Sequence, residues 1–183
     1  MKYCFLLLGL VLLGTSCDKE DDPQGPDPAI HFATAKVNGI DWKSTQAFYS
    51  ATPQVNDFTT VFFSTSNEAG ILRQQIRFKF LNFPLQDTAL LTFVRRGSVD
   101  NLRPTAYVDT FVADGDATAE GYDILDNEDY SSWLHIDSQT QEELRGTFEL
   151  HFLISPDTPA KADPAAPDTL HFTNGAFEAK FIE

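Results

Sequence analysis

Apolar and polar residues alternate with a period of two along most of this chain. Within 71–83, Leu72, Ile76, Phe78 and Phe80 fall on one side, and Arg73, Gln75, Arg77 and Lys79 on the other. That is the pattern of a strand with one face in a core and one in water. Short runs rich in β-branched and aromatic residues at 30–37, 40–49, 58–65, 88–94, 105–112, 133–136 and 146–154 predict further strands. Asn38-Gly39 tolerates positive φ at both positions and predicts a tight hairpin; Asn174-Gly175, between 170–173 and 176–182, predicts a second. Residues 113–129, acidic and rich in small side chains, predict a long loop with one short strand at 121–125. Residues 155–168, with Pro156, Pro159, Pro164 and Pro167, predict a low-complexity surface excursion. No segment keeps a helical period over three turns, although 139–144 could form one turn. Eight to ten short strands separated by turns predict an all-β domain, either a single antiparallel β-sandwich or a flattened open barrel.

The first residues break this pattern. Lys2 precedes an apolar run from Cys4 to Leu13, too short to cross a bilayer, which takes about 20 apolar residues. The run ends in Gly14-Thr15-Ser16-Cys17, which resembles the lipobox cut by lipoprotein signal peptidase, with Gly14 where leucine is usual. The resemblance implies a signal peptide over 1–16 and lipid attachment at Cys17. Residues 17–29 hold Asp18-Lys19-Glu20-Asp21-Asp22 and Pro23, Pro26 and Pro28, a composition that cannot collapse and predicts a disordered acidic, proline-rich tether. The β domain occupies 30–183. Lys19-Glu20-Asp21 also resembles the lysine-plus-acidic signal that sends some lipoproteins to the cell surface; a merely solvated linker has the same composition.

Charge and cysteine content narrow the function. Losing residues 1–16 removes Lys2 and takes the formal charge from −14 to −15. So acidic a surface repels phosphate backbones and anionic headgroups, which argues against a nucleic-acid partner and leaves the lipid as the membrane handle. With Cys4 in the signal and Cys17 acylated, the domain has no disulfide, and its stability must come from packing, for which the chain supplies 16 phenylalanines.

The ends of the domain carry a further resemblance. Phe32-Ala33-Thr34-Ala35-Lys36-Val37-Asn38-Gly39-Ile40-Asp41-Trp42 is similar to the F-x-x-A-x-V-N-G-x-x-W opening of a family of uncharacterised Bacteroidota lipoproteins. Gly146-Thr147-Phe148 and Thr173-Asn174-Gly175-Ala176-Phe177 are similar to its closing G-T-F and T-N-G-x-F. The resemblance implies an all-β envelope lipoprotein and no established activity.

Candidate chemistry is sparse. From Asp109 to Asp129 eight acidic residues occur with no Lys or Arg between them, and Asp114, Asp116 and Glu120 are weak candidates for a Ca²⁺ site. They fail the EF-hand spacing, with Ala119 where its glycine belongs and Leu125 where its glutamate belongs, and a solvated acidic loop is the better reading of the same residues. His151 and His171 would be neighbours if their strands pair, with Glu149 and Glu178 beside them, yet no metal-ligand spacing joins them, and His31 and His135 add none. No metal and no cofactor is assigned. Tyr122 and Tyr130, in the polar segment, are the candidate exposed ligand contacts; Trp42 and Trp133 read as packing. The basic row Arg73, Arg77 and Lys79 reads as a solvated face paired with acids. No G-x-S-x-G elbow or phosphate-cradling loop is present, so no catalytic residue is assigned. These features lead to the expectation of an outer-membrane lipoprotein, on its periplasmic face or at the cell surface, acting as a binding or accessory module for a glycan or protein partner. The alternative is an envelope hydrolase acting on glycans through a carboxylate pair.

Overall fold

The computed structural model describes residues 31–52, 58–81, 87–97, 103–157 and 161–182. The signal, Cys17 and the tether lie outside them. The described residues form no helix and eleven strands: β1 (Ala33–Val37), β2 (Ile40–Lys43), β3 (Gln46–Thr52), β4 (Phe58–Ser66), β5 (Leu72–Leu81), β6 (Thr88–Leu91), β7 (Thr105–Phe111), β8 (Thr118–Ile124), β9 (Ser132–Gln139), β10 (Glu143–Ile154) and β11 (Thr169–Phe181).

They pair in the order β2-β1-β11-β3-β4-β5-β7-β8-β10-β9-β6, and β11 also pairs β10. This second pairing closes a ring of seven strands, β11-β3-β4-β5-β7-β8-β10, with β1-β2 and β9-β6 as flaps on its two longest strands. Every pairing is antiparallel except β11 with β3, where Lys180 and Phe181 lie beside Phe48 and Tyr49. The architecture is all-β as expected, one mostly antiparallel sheet that forms a partial ring, with eleven strands rather than eight to ten. Residues 40–49, expected as one strand, divide at Ser44, and 170–173 and 176–182, expected as two, form one. The buried Ser44 hydroxyl accepts from Ala33 N–H at 2.7 Å, and the chain turns there from β2 into β3.

Inward side chains follow the period of two. Phe63, Phe78, Phe148, Leu150, Phe152 and Phe172 are fully buried, and each such side chain contributes about 1.5–3 kcal/mol relative to exposure. Phe63 is the hub, with ring centroids 5.1, 5.3 and 5.2 Å from Phe78, Phe148 and Phe177.

Two sequence expectations need correction. Asn174-Gly175 does not turn the chain: β11 runs through it, and Asn174, at φ 54°, supplies one extra residue that shifts the register against both β1 and β10. Gly175 is required instead because the Phe148 ring lies on it, 2.5 Å from where a Cβ would stand. Residues 139–144 are strand ends joined by a tight turn in which Thr140 Oγ1 accepts from the Glu142 and Glu143 N–H groups, not a helical turn. The short strand expected at 121–125 in the acidic segment forms as β8, which begins three residues earlier and pairs with β7. The Asn38-Gly39 hairpin forms as expected, with φ of 49° and 86°.

Candidate functional site

A cleft of about 580 Å³ lies between the β7–β8 hairpin and the segment 161–168. Its floor is Glu120, a carboxylate 4 % exposed. Glu120 and Thr110 face each other across the hairpin: Thr110 Oγ1 donates to Glu120 Oε2 at 2.7 Å and accepts from Glu120 N–H at 3.0 Å. The other oxygen, Oε1, accepts from Asp163 N–H at 2.8 Å. A buried carboxylate needs such donors, and here they come from two segments and tie them together.

The proline-rich excursion is therefore a wall and not filler. Lys161 Nζ holds it closed on itself, donating to Ala166 O at 2.6 Å and pairing with Asp168 at 2.6 Å. Tyr122 joins floor to wall through its hydroxyl, which donates to Pro167 O at 3.0 Å. Burial, and then the carboxylates of Glu120, Asp168 and Asp163, push the Tyr122 phenol above its ordinary pKa. Expected as an exposed aromatic, Tyr122 is 1 % exposed. It sits in the alternating register of β8, which the surrounding acidic residues mask in the sequence. Phe111, Val112 and Pro167 give the cleft apolar walls, and among the described residues no lysine or arginine lines it.

The candidate calcium ligands separate. Glu120 is turned into the cleft, whereas Asp114 and Asp116 lie exposed in the β7–β8 turn and hydrogen-bond to each other, which lowers the pKa of Asp114 and raises that of Asp116. Two other acids of the stretch are neutralised from a distance. Arg96, in the loop after β6, pairs with Asp109 and with Asp123, the latter at 2.9 Å, and donates to the carbonyls of Val108 and Tyr122. Burial opposes its charge, and the hydrogen bonds to Asp123 and Asp109 outweigh it, raising the guanidinium pKa.

A second constellation covers the outer face of β10 and β11. His151 and His171 are direct cross-strand partners, with Nδ1 atoms 2.9 Å apart and one proton between them. His151 Nε2 is 3.2 Å from Glu149. Tyr130, 41 % exposed, covers both imidazoles at 4.8 and 4.9 Å between centroids. The Asn38 turn grips the same place: Asn38 N–H donates to His171 O, and His171 N–H to Asn38 Oδ1, each at 2.9 Å. Burial and then His151 hold the His171 pKa below its usual value. Of the four groups the sequence placed here, Glu178 alone lies elsewhere, beside His31 and Arg145.

The remaining candidates are structural. Trp42 Nε1 donates to Gln74 at 2.9 Å and its ring stands edge-on to Phe172. Arg77 and Lys79 lie over the Tyr107 ring rather than against acids. Comparison with protein-family models, with curated proteins and with solved structures gives no match to this chain.

Proposed function

We propose that this chain is a lipid-anchored envelope lipoprotein whose β domain is a binding module, with the Glu120 cleft as its ligand site. The observation that carries the binding role is the cleft itself: a concavity within the usual 300–1,000 Å³ range, apolar at the sides, with one preorganised acceptor at its base. A buried carboxylate in a cleft whose lining residues include no cation favours a neutral or cationic ligand that brings hydrogen-bond donors, such as a neutral glycan fragment. Both acids of the cleft are engaged in holding its walls, Glu120 through Thr110 and Asp163 N–H, and Asp163 through Ala165 N–H at 2.8 Å, which favours binding over hydrolysis by a carboxylate pair. The address rests on Gly14-Thr15-Ser16-Cys17 and the charged tether after it, and places the domain at the outer membrane on its periplasmic face or outside. Two or three acyl chains make such an anchor effectively permanent, since each buried methylene contributes about 0.8 kcal/mol.

The reading is tested in two arms. Mass spectrometry of the membrane-bound protein should find residues 1–16 removed and Cys17 acylated, with Cys17→Ser soluble or uncut; an unmodified Cys17 rejects the anchor. On an array of neutral and anionic glycans, binding should be confined to neutral members and fall about tenfold in Glu120→Gln, one charge-assisted hydrogen bond being worth roughly 1.5–3 kcal/mol. Absence of any binding, or binding indifferent to Glu120, rejects the cleft.

A further inference from the structure

A different cluster lies where the chain enters β1. His31, Glu143 and Glu178 each offer one ligand atom, and these atoms lie within 4.8 Å of one another, a group without parallel among the described residues. They come from three segments: His31 precedes β1, Glu143 opens β10, and Glu178 lies on β11. The backbone around the imidazole is held on both sides, since Ala47 N–H donates to His31 O and Glu178 N–H to Phe32 O, each at 3.0 Å. The ring is therefore placed before any ligand arrives.

His31 Nδ1 is buried and makes no hydrogen bond; Glu178 Oε1 stands 3.4 Å from it. A buried ring nitrogen with no hydrogen bond, next to two carboxylates, has a lone pair and a charge environment that a cation can use. The position is partly compensated by Arg145, whose guanidinium pairs with Glu143 and, at 3.2 Å, with Glu178 Oε2. Arg145 lies on the solvent side of the cluster and is half exposed, with 54 % of its side chain accessible. It uses the outer oxygen of Glu178 and leaves Oε1 and His31 Nδ1 facing each other.

We infer that His31, Glu143 and Glu178 form a binding site for a divalent transition-metal ion, which displaces the Arg145 side chain towards solvent. One imidazole and two carboxylates match the donor set of zinc, and the imidazole disfavours calcium and magnesium, which take oxygen. Tetrahedral ligands about 2.0–2.1 Å from zinc stand about 3.3–3.5 Å apart, so the His31–Glu178 spacing already fits and the Glu143 side chain has to close in. Exchanging a guanidinium for a doubly charged ion brings the two carboxylates to neutrality. A bound metal would join the start of β1 to β10 and β11, fixing the place where the domain meets the preceding residues.

The test is calorimetric titration of the purified full-length protein, without tag, with zinc alone, then with calcium. One equivalent of zinc should bind, calcium should not compete, and the melting temperature should rise with zinc concentration. His31→Ala and the isosteric Glu178→Gln should weaken zinc binding at least about tenfold. Arg145→Ala should tighten it, an outcome that incidental binding to surface histidines does not produce; His151→Gln should leave it unchanged. Melting in the absence of metal identifies any variant that fails to fold. No stoichiometric zinc binding by the unmodified protein overturns the inference, whatever Arg145→Ala does. So does binding that survives His31→Ala and Glu178→Gln, or an Arg145→Ala variant that binds no more tightly.

Discussion

Two glycines and two phenylalanines form a reciprocal lock at the centre of this fold. Gly146 lies opposite Phe177 and Phe148 opposite Gly175, so each ring covers the bare backbone of the neighbouring strand. An added methyl would meet the Phe148 ring at 2.5 Å on Gly175, and the His135 carbonyl oxygen at 2.1 Å on Gly146. The two positions therefore differ in what must yield. Gly175→Ala should lower stability by about 1–3 kcal/mol, because a ring can shift. Gly146→Ala should lose more, roughly 3 kcal/mol or above, because a paired backbone cannot. Urea unfolding of the two variants checks the order; equal midpoints, or an unaltered Gly146→Ala, would show that the lock is looser than described. The lock also explains why Asn174-Gly175 misleads as a turn signal. Local turn propensity is a preference of about the size of one contact, whereas unstacking Phe148 and Phe177 from Phe63 would open the core.

At the scale of the element, the paired strands β10 and β11 carry their chemistry on the outer face. Burial and then His151 disfavour the protonated form of His171, so its folded pKa lies below the 6.5 of an unperturbed histidine. A depressed histidine pKa means that the unfolded chain takes up the proton more readily. The stability it contributes is complete above about pH 6.5 and declines as pH falls below that value. Protonating both rings would also set two cations against each other across the Nδ1 contact. Unfolding midpoints measured from pH 7.5 to 5.0 should fall, and His171→Asn should flatten that fall relative to the parent; parallel curves would count against the pair as its source.

This face was largely legible in the sequence. The alternation in 146–154 already set Glu149 and His151 on one side, and only the pairing partner was missing. The cleft was not legible. Glu120 is buried by Thr110, ten residues earlier, and by Asp163 N–H, 43 residues later, and no local pattern encodes a partner so remote. Composition made the difficulty worse, because an acidic run reads as solvated while Arg96, from the loop after β6, and Thr110, from the facing strand, satisfy its members. The Asn38-Gly39 turn was legible for the opposite reason, since both of its requirements are met within two residues.

For the molecule as a whole, closure depends on β11, which pairs with β1, β3 and β10 together. Its last turn of contacts is specific: Phe181 N–H donates to Glu142 O at 2.8 Å, and Ile182 N–H to Tyr49 O at 2.9 Å. A chain ending after Phe177 keeps the β10 and β1 pairings in part but loses the parallel junction with β3. It should lose its cooperative thermal transition, as followed by circular dichroism; a sharp melt near that of the complete chain would mean that the ring is stable while open.

A ribosome makes β11 after the ten strands that wait for it. Until it emerges, β1 and β10, more than a hundred residues apart, have no common partner, and contacts that remote form slowly. The ring thus cannot close on a nascent polypeptide, whatever hairpins have formed before, until the last of its strands has been made.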